Sequence, residues 1–94
     1  MKGRKTDANQ SAIIATLREV GATVVDLSAV GKGVPDLLVG FRGATYLLEV
    51  KNVKGKNKTT PDQDVFYAWW RGGPVHIVRT ADEALSAIGA VRGD

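Results

Sequence analysis

Two apolar runs, Leu37 to Phe41 and Tyr46 to Val50, are separated by a single turn signal, Arg42-Gly43, and this pattern predicts a β-hairpin at the centre of the chain. Upstream, Ala8 to Val20 brings Gln10, Ile13, Ile14, Leu17 and Val20 close to one helical stripe, and Gly21 stops the helix. Thr23 to Leu27 reads as a β-branched strand, and the AVGKGV segment after it as a glycine-containing turn. Downstream, Asn52 to Thr59 sets polar and glycine positions among lysines with no apolar period, so a mobile loop is expected. Thr60-Pro61-Asp62-Gln63 has the form of an N-cap, a first-turn proline and a capping-box glutamine, opening a helix through Trp70 with Val65, Phe66 and Trp69 on its buried face. Pro74 to Arg79 is a further strand. Thr80 and Glu83 form a second capping box, for a helix that buries Ala84, Leu85 and Ile88. The expected order is αβββαβα in one α/β domain spanning 1–94, with 1–6 as a flexible basic N-terminus and no internal repeat.

The hairpin carries the chemistry. With a two-residue loop, Gly40 faces Thr45, Leu38 faces Leu47, and Asp36 falls opposite Glu49. Lys51, two residues past Glu49, points to the same face and lies diagonal to Asp36. Directly opposed residues have Cβ atoms about 5 Å apart, so two acids placed in this way repel unless a cation lies between them. Arg-Gly is not the favoured pair for a type I′ turn, and a three-residue loop would leave Asp36 diagonal to Glu49 instead. An exposed ion-pair cluster is the other reading of these three charges. Against it, apolar residues on both faces predict a strand pair covered on both sides, with its charges partly desolvated.

Charge distribution adds a partner class. Thirteen basic and ten acidic side chains give a net charge of +3 over 94 residues. The basic residues cluster: Lys2, Arg4 and Lys5 lead the chain, and Lys54, Lys56 and Lys58 follow directly on Lys51. Together with Lys32 in the turn before the hairpin, the lysines of this second cluster are candidate nucleic-acid contacts. Solvated surface lysines are the alternative, above all for the N-terminal group. GKG lacks the spacing of a phosphate-binding P-loop. Cysteine is absent, which excludes disulfides and thiolate metal sites. Neither a secretion signal nor an apolar run of membrane-spanning length is evident, so a soluble, cytoplasmic protein with no membrane partner is expected. His76, in a late strand, reads as an ordinary packing or surface residue.

The segments GKGVPDLLVG, LLEVKN and TTPDQDVFYAWW, in that order, resemble the virus-type replication-repair nuclease (VRR-NUC) domain in its small stand-alone phage and bacterial form, within the PD-(D/E)xK nuclease superfamily. The resemblance runs from DANQ, beginning at Asp7, through the final helix. It implies a PD-(D/E)xK nuclease-like fold with a mixed central sheet flanked by helices. It also implies a Mg²⁺- or Mn²⁺-dependent endodeoxyribonuclease whose catalytic residues are Asp36, Glu49, Lys51 and Gln63. The metal ligands would be Asp36, Glu49 and the Val50 backbone carbonyl, with Asp7 as a further ligand. Hard oxygen donors suit either cation, which keeps several of its waters. Asp7 equally fits an N-cap, and Gln63 equally fits the capping box. Trp70 is the better candidate for stacking on a base or joining an interface, because Trp69 falls on the expected buried face.

The family resemblance further implies a homodimer or higher homo-oligomer acting on branched DNA such as four-way (Holliday) junctions. A two-fold axis would place two sites for paired nicks. Competing functions are a catalytically idle DNA-binding module, a same-fold nuclease cutting linear duplex, and a protein-binding accessory factor.

Overall fold

A computed structural model describes residues 8–53 and 58–90. Asp7, Lys54 and Lys56, and part of the expected mobile loop, lie outside the described residues, as do Lys2, Arg4 and Lys5. The described elements are α1 (Ala8–Glu19), β1 (Thr23–Asp26), β2 (Leu37–Phe41), β3 (Ala44–Val50), α2 (Pro61–Trp69), β4 (Val75–Val78) and α3 (Ala81–Ala87). This is the expected αβββαβα order. The four strands form one mixed sheet in the order β1-β2-β3-β4, antiparallel except for the parallel β3/β4 pair. A parallel neighbour needs a crossover, and α2 supplies it.

The hairpin register is the two-residue solution. Leu38 pairs with Leu47, Gly40 with Thr45, and Leu37 with Leu48. Arg42 (φ 50°) and Gly43 (φ 81°) both adopt positive φ, as a type I′ turn requires. Arg42 accepts a conformation uncommon for its type, and its guanidinium sits 4.8 Å from the centroid of the Phe41 ring.

Period-two alternation sorts the sheet into two faces. Leu37, Val39, Phe41, Leu48, Val24 and Val78 are buried in the core with Ile13 and Leu17 of α1 and Ala84, Leu85 and Ile88 beside them. Burying each larger aliphatic side chain contributes about 1.5–3 kcal/mol, so this face carries most of the fold. Both α1 and α3 end in Schellman geometry. In α1 the Ala22 and Gly21 N–H groups return to Leu17 and Arg18, and in α3 those of Ala90 and Gly89 return to Leu85 and Ser86.

The second face departs from expectation. Val25, Leu38, Leu47 and Val75 share it, and none is buried, so the hairpin is covered fully on one side only. The crossover helix α2 is short and meets this face near its Glu49 end. Consequently only Phe66 of α2 is buried, whereas Val65 and Trp69 are each 67% exposed. Trp70 is the more protected tryptophan, at 36%, because its indole stacks on Phe66 (5.4 Å, 19°) and its Nε1 donates to the Gly73 carbonyl (2.8 Å). The expected burial of Trp69 is thus not found, and Trp70 is the better covered of the two. The second capping box also differs: Thr80 accepts from the Glu83 N–H, but the Glu83 carboxylate accepts from Arg79 N–H at 2.7 Å, one residue before the cap.

The glycine turn before β2 fixes where α2 sits. Gly33 has φ 79°, and a Cβ there would lie 2.2 Å from the Asp62 carbonyl oxygen and 2.7 Å from the Gln63 nitrogen. Backbone of the first turn of α2 therefore rests directly against Gly33. Gly33→Ala is expected to destabilise the fold by about 1–3 kcal/mol through strain and displacement of α2. For a chain of this size that is a fall of roughly 5–15 °C in Tm, measurable by thermal unfolding. Gly31→Ala, with positive φ but open space around it, should cost only the conformational part.

Candidate active site

The antiparallel ladder ends at Leu37 and Leu48, and its next positions set Asp36 across from Glu49 and Pro35 across from Val50. Both acids therefore belong to the second face, at the end where α2 arrives. Proline has no N–H, so Pro35 cannot donate to the Val50 carbonyl as a ladder neighbour would. The Val50 N–H donates to Asp36 Oδ2 at 2.9 Å. The proline beside the first acid thus keeps the Val50 carbonyl out of the β2 ladder next to that acid.

Glu49 is 5% exposed, and the Gln63 Nε2 donates to its Oε2 at 2.9 Å. Lys51 Nζ stands 3.7 Å from the same oxygen. It also lies 3.3 Å from Gln63 Oε1 and 3.4 Å from the Lys58 carbonyl. Gln63 closes the capping box and also bonds the charged pair. Its Oε1 accepts from the Thr60 N–H at 3.0 Å while the Thr60 hydroxyl accepts from the Gln63 N–H at 3.2 Å, closing the capping box. The amide end then remains for Glu49. One side chain joins helix start, acid and lysine.

Of the sequence candidates, the structure gathers Asp36, Glu49, Lys51, Gln63 and the Val50 backbone on one patch. Lys58 is exposed but tied to the patch through its carbonyl, and Lys32 is exposed in the turn before β2 with φ 57°. His76 stands apart, paired with Leu48 on the opposite face and packed 6.2 Å from the Tyr46 ring centroid.

Two amides on α1, Asn9 partly buried and Gln10 buried, support this patch, although neither was expected as a site residue from sequence. Asn9 Nδ2 donates to the Lys51 carbonyl (3.0 Å) and the Arg79 carbonyl (3.4 Å), clamping the ends of the parallel strands β3 and β4. Gln10, which is buried, donates to the Ser28 hydroxyl (3.2 Å), which in turn bonds Asp26. The available signal was an adjacent Asn-Gln pair on a helix whose other inward positions are apolar.

Electrostatics set the two acids against each other. Burial, then the neighbouring Asp36 carboxylate, push the Glu49 pKa up from 4.5 to about 7, and Lys51 and Gln63 only partly oppose them. Among the described residues no three His, Cys, Asp or Glu side chains gather, so the described part of the site offers a cation two carboxylates and a backbone carbonyl. That small, hard-oxygen set fits a cation that retains much of its water shell, such as Mg²⁺ or Mn²⁺, and does not suit a fully caged site.

A raised carboxylate pKa makes the folded state bind a proton more tightly than the unfolded chain, so its effect on stability is favourable below the unfolded pKa and is lost as pH rises through the folded one. Stability should therefore fall between about pH 4.5 and 7 by on the order of 3 kcal/mol from Glu49. Glu49→Gln should remove this slope and raise the Tm at pH 8, where the wild-type Glu49 is ionised. Denaturant unfolding across pH 4 to 8 checks it, and identical slopes in the two proteins would refute the assignment.

No family model matches the sequence, and no curated protein matches it. Among solved structures, one described as a "VRR_NUC domain" aligns with a TM-score of 0.64 at 29% identity, covering 85% of this chain and 89% of the other. No helix among the described residues is long and apolar enough to cross a membrane. The order of the motif residues accords with this similarity, and the chain has a VRR-NUC-like fold, which suggests a nuclease.

Proposed function

We propose that this domain is a divalent-metal-dependent, structure-specific DNA endonuclease that hydrolyses phosphodiester bonds in branched DNA such as four-way junctions. The observation that carries the reading is the convergence of Asp36, Glu49, Lys51 and Gln63 at one end of a half-open sheet face. Asp36, Glu49 and the Val50 carbonyl would hold Mg²⁺ or Mn²⁺, with Asp7 as a further ligand. When bound, the cation polarises the phosphoryl oxygen, lowers the pKa of a bound water and offsets charge on the leaving oxygen.

The chain's own groups do the rest. Lys51, held between Glu49 and Gln63, orients the attacking water and stabilises negative charge as it grows on the phosphate. The water oxygen bonds to phosphorus as the bond to the 3′ oxygen breaks, leaving a 5′-phosphate and a 3′-hydroxyl. Gln63 keeps Lys51 and Glu49 in register and, through the capping box, ties them to α2. Lys32, Lys54, Lys56 and Lys58 contact the DNA backbone, and a homodimer would present two sites for paired cuts on a symmetric junction.

The decisive experiment compares a labelled four-way junction with linear duplex and single strands, in Mg²⁺, Mn²⁺ or EDTA. Metal-dependent cleavage that prefers the junction is expected, and Glu49→Gln and Lys51→Ala should each reduce it by about a hundredfold or more while the protein stays folded. Full activity in both variants would sink the site. Neutralising Lys54, Lys56 and Lys58 together should lower the slope of log K against log salt by roughly two to three. An unchanged slope would remove that segment from the interface.

A further inference from the structure

Tyr67 lies on α2 four residues after Gln63, one turn further along the same helix face. Its hydroxyl oxygen is buried yet has no hydrogen-bond partner among the described residues. Leaving a buried donor unmade costs about 1–3 kcal/mol, a cost that a stability role alone would not explain. Phenylalanine would fill the same space without it.

The surroundings indicate what the hydroxyl awaits. Tyr67 lines a groove of about 340 Å³ between α2 and β4, with Trp70, Val75 and Ile77 among its walls. Ile77 pairs with Glu49 across β3 and β4, so one wall of the groove is the strand neighbour of the second acid. Burial, and then the fields of Glu49, Asp36 and Asp64, hold the phenol pKa above its ordinary value, which keeps the oxygen protonated. The protonated hydroxyl is a hydrogen-bond donor one helical turn beyond Gln63, the residue that bonds Glu49.

We propose that the Tyr67 hydroxyl donates to a nonbridging oxygen of the phosphodiester bound beside Asp36 and Glu49, making Tyr67 a catalytic residue that contacts substrate. This rests on the nuclease reading above. A bound phosphate supplies the acceptor that the free protein lacks, and the groove gives the strand its approach.

The test is Tyr67→Phe, compared with wild type in Tm and in single-turnover cleavage of substrates with oxygen or with Rp or Sp sulfur at the scissile phosphate. The expected result is a Tm unchanged or slightly raised and cleavage of the all-oxygen substrate slowed about tenfold or more. For one diastereomer, the rate lost on sulfur substitution should also be smaller in the variant, because the bond that sulfur weakens is already gone. Cleavage within twofold of wild type would overturn the proposal. So would a slower variant with a Tm several degrees lower and unchanged sulfur effects, which would mark the hydroxyl as structural. If the wild type cuts no strand with any metal, the nuclease reading itself fails and this inference falls with it. Activity in the wild type with no loss in the variant would remove Tyr67 alone.

Discussion

Two carboxylates meeting at the covered end of a β-hairpin are the constraint around which this small domain is arranged. Asp36 and Glu49 are brought together by a register that the core enforces, because sliding one strand by one residue would expose Leu37, Val39 and Leu48. The apolar face therefore holds the acids against their mutual repulsion. The strain is visible in Glu49, whose pKa is pushed to about 7 despite a lysine and an amide at hand. A fold that maximised its own stability would not place these groups so; a site that needs concentrated negative charge would.

The remaining elements serve that placement. Asn9 clamps the carbonyls where β3 and β4 leave the sheet, so the backbone carrying Lys51 is held from the α1 side. Gln63 holds the same lysine from the α2 side, and Gly33 allows the first turn of α2 to approach closely enough for Gln63 to reach Glu49. The capping box links local helix start to distant chemistry. Because its oxygen serves Thr60 and its nitrogen serves Glu49, a single glutamine couples the beginning of α2 to the acid pair.

The open half of the sheet face is equally consequential. Leu38, Leu47 and Val75 are only half covered, and α2 adds exposed Val65 and Trp69 rather than closing over them. Such a surface leaves room for a large ligand alongside the acids. An enclosed pocket would suit a small molecule better.

Local chemistry along the chain determined the order of elements, the starts of α2 and α3, and a hairpin that brings Asp36, Glu49 and Lys51 to one end, while the choice between two loop lengths, and with it the register, was left to the structure. These follow from alternation, turn residues and capping, which act over a few neighbours. Gln63 was legible as a cap; that the same side chain also reaches Glu49 and Lys51 depends on where α2 docks. Only the tertiary structure decided that docking, and with it the exposure of Trp69, the protection of Trp70 by Phe66, and the stranded hydroxyl of Tyr67. The same holds for Asn9, whose partners lie 42 and 70 residues away. Periodicity shows which side of a helix is apolar, but how much of that side finds a surface to cover is settled by the packing of distant segments.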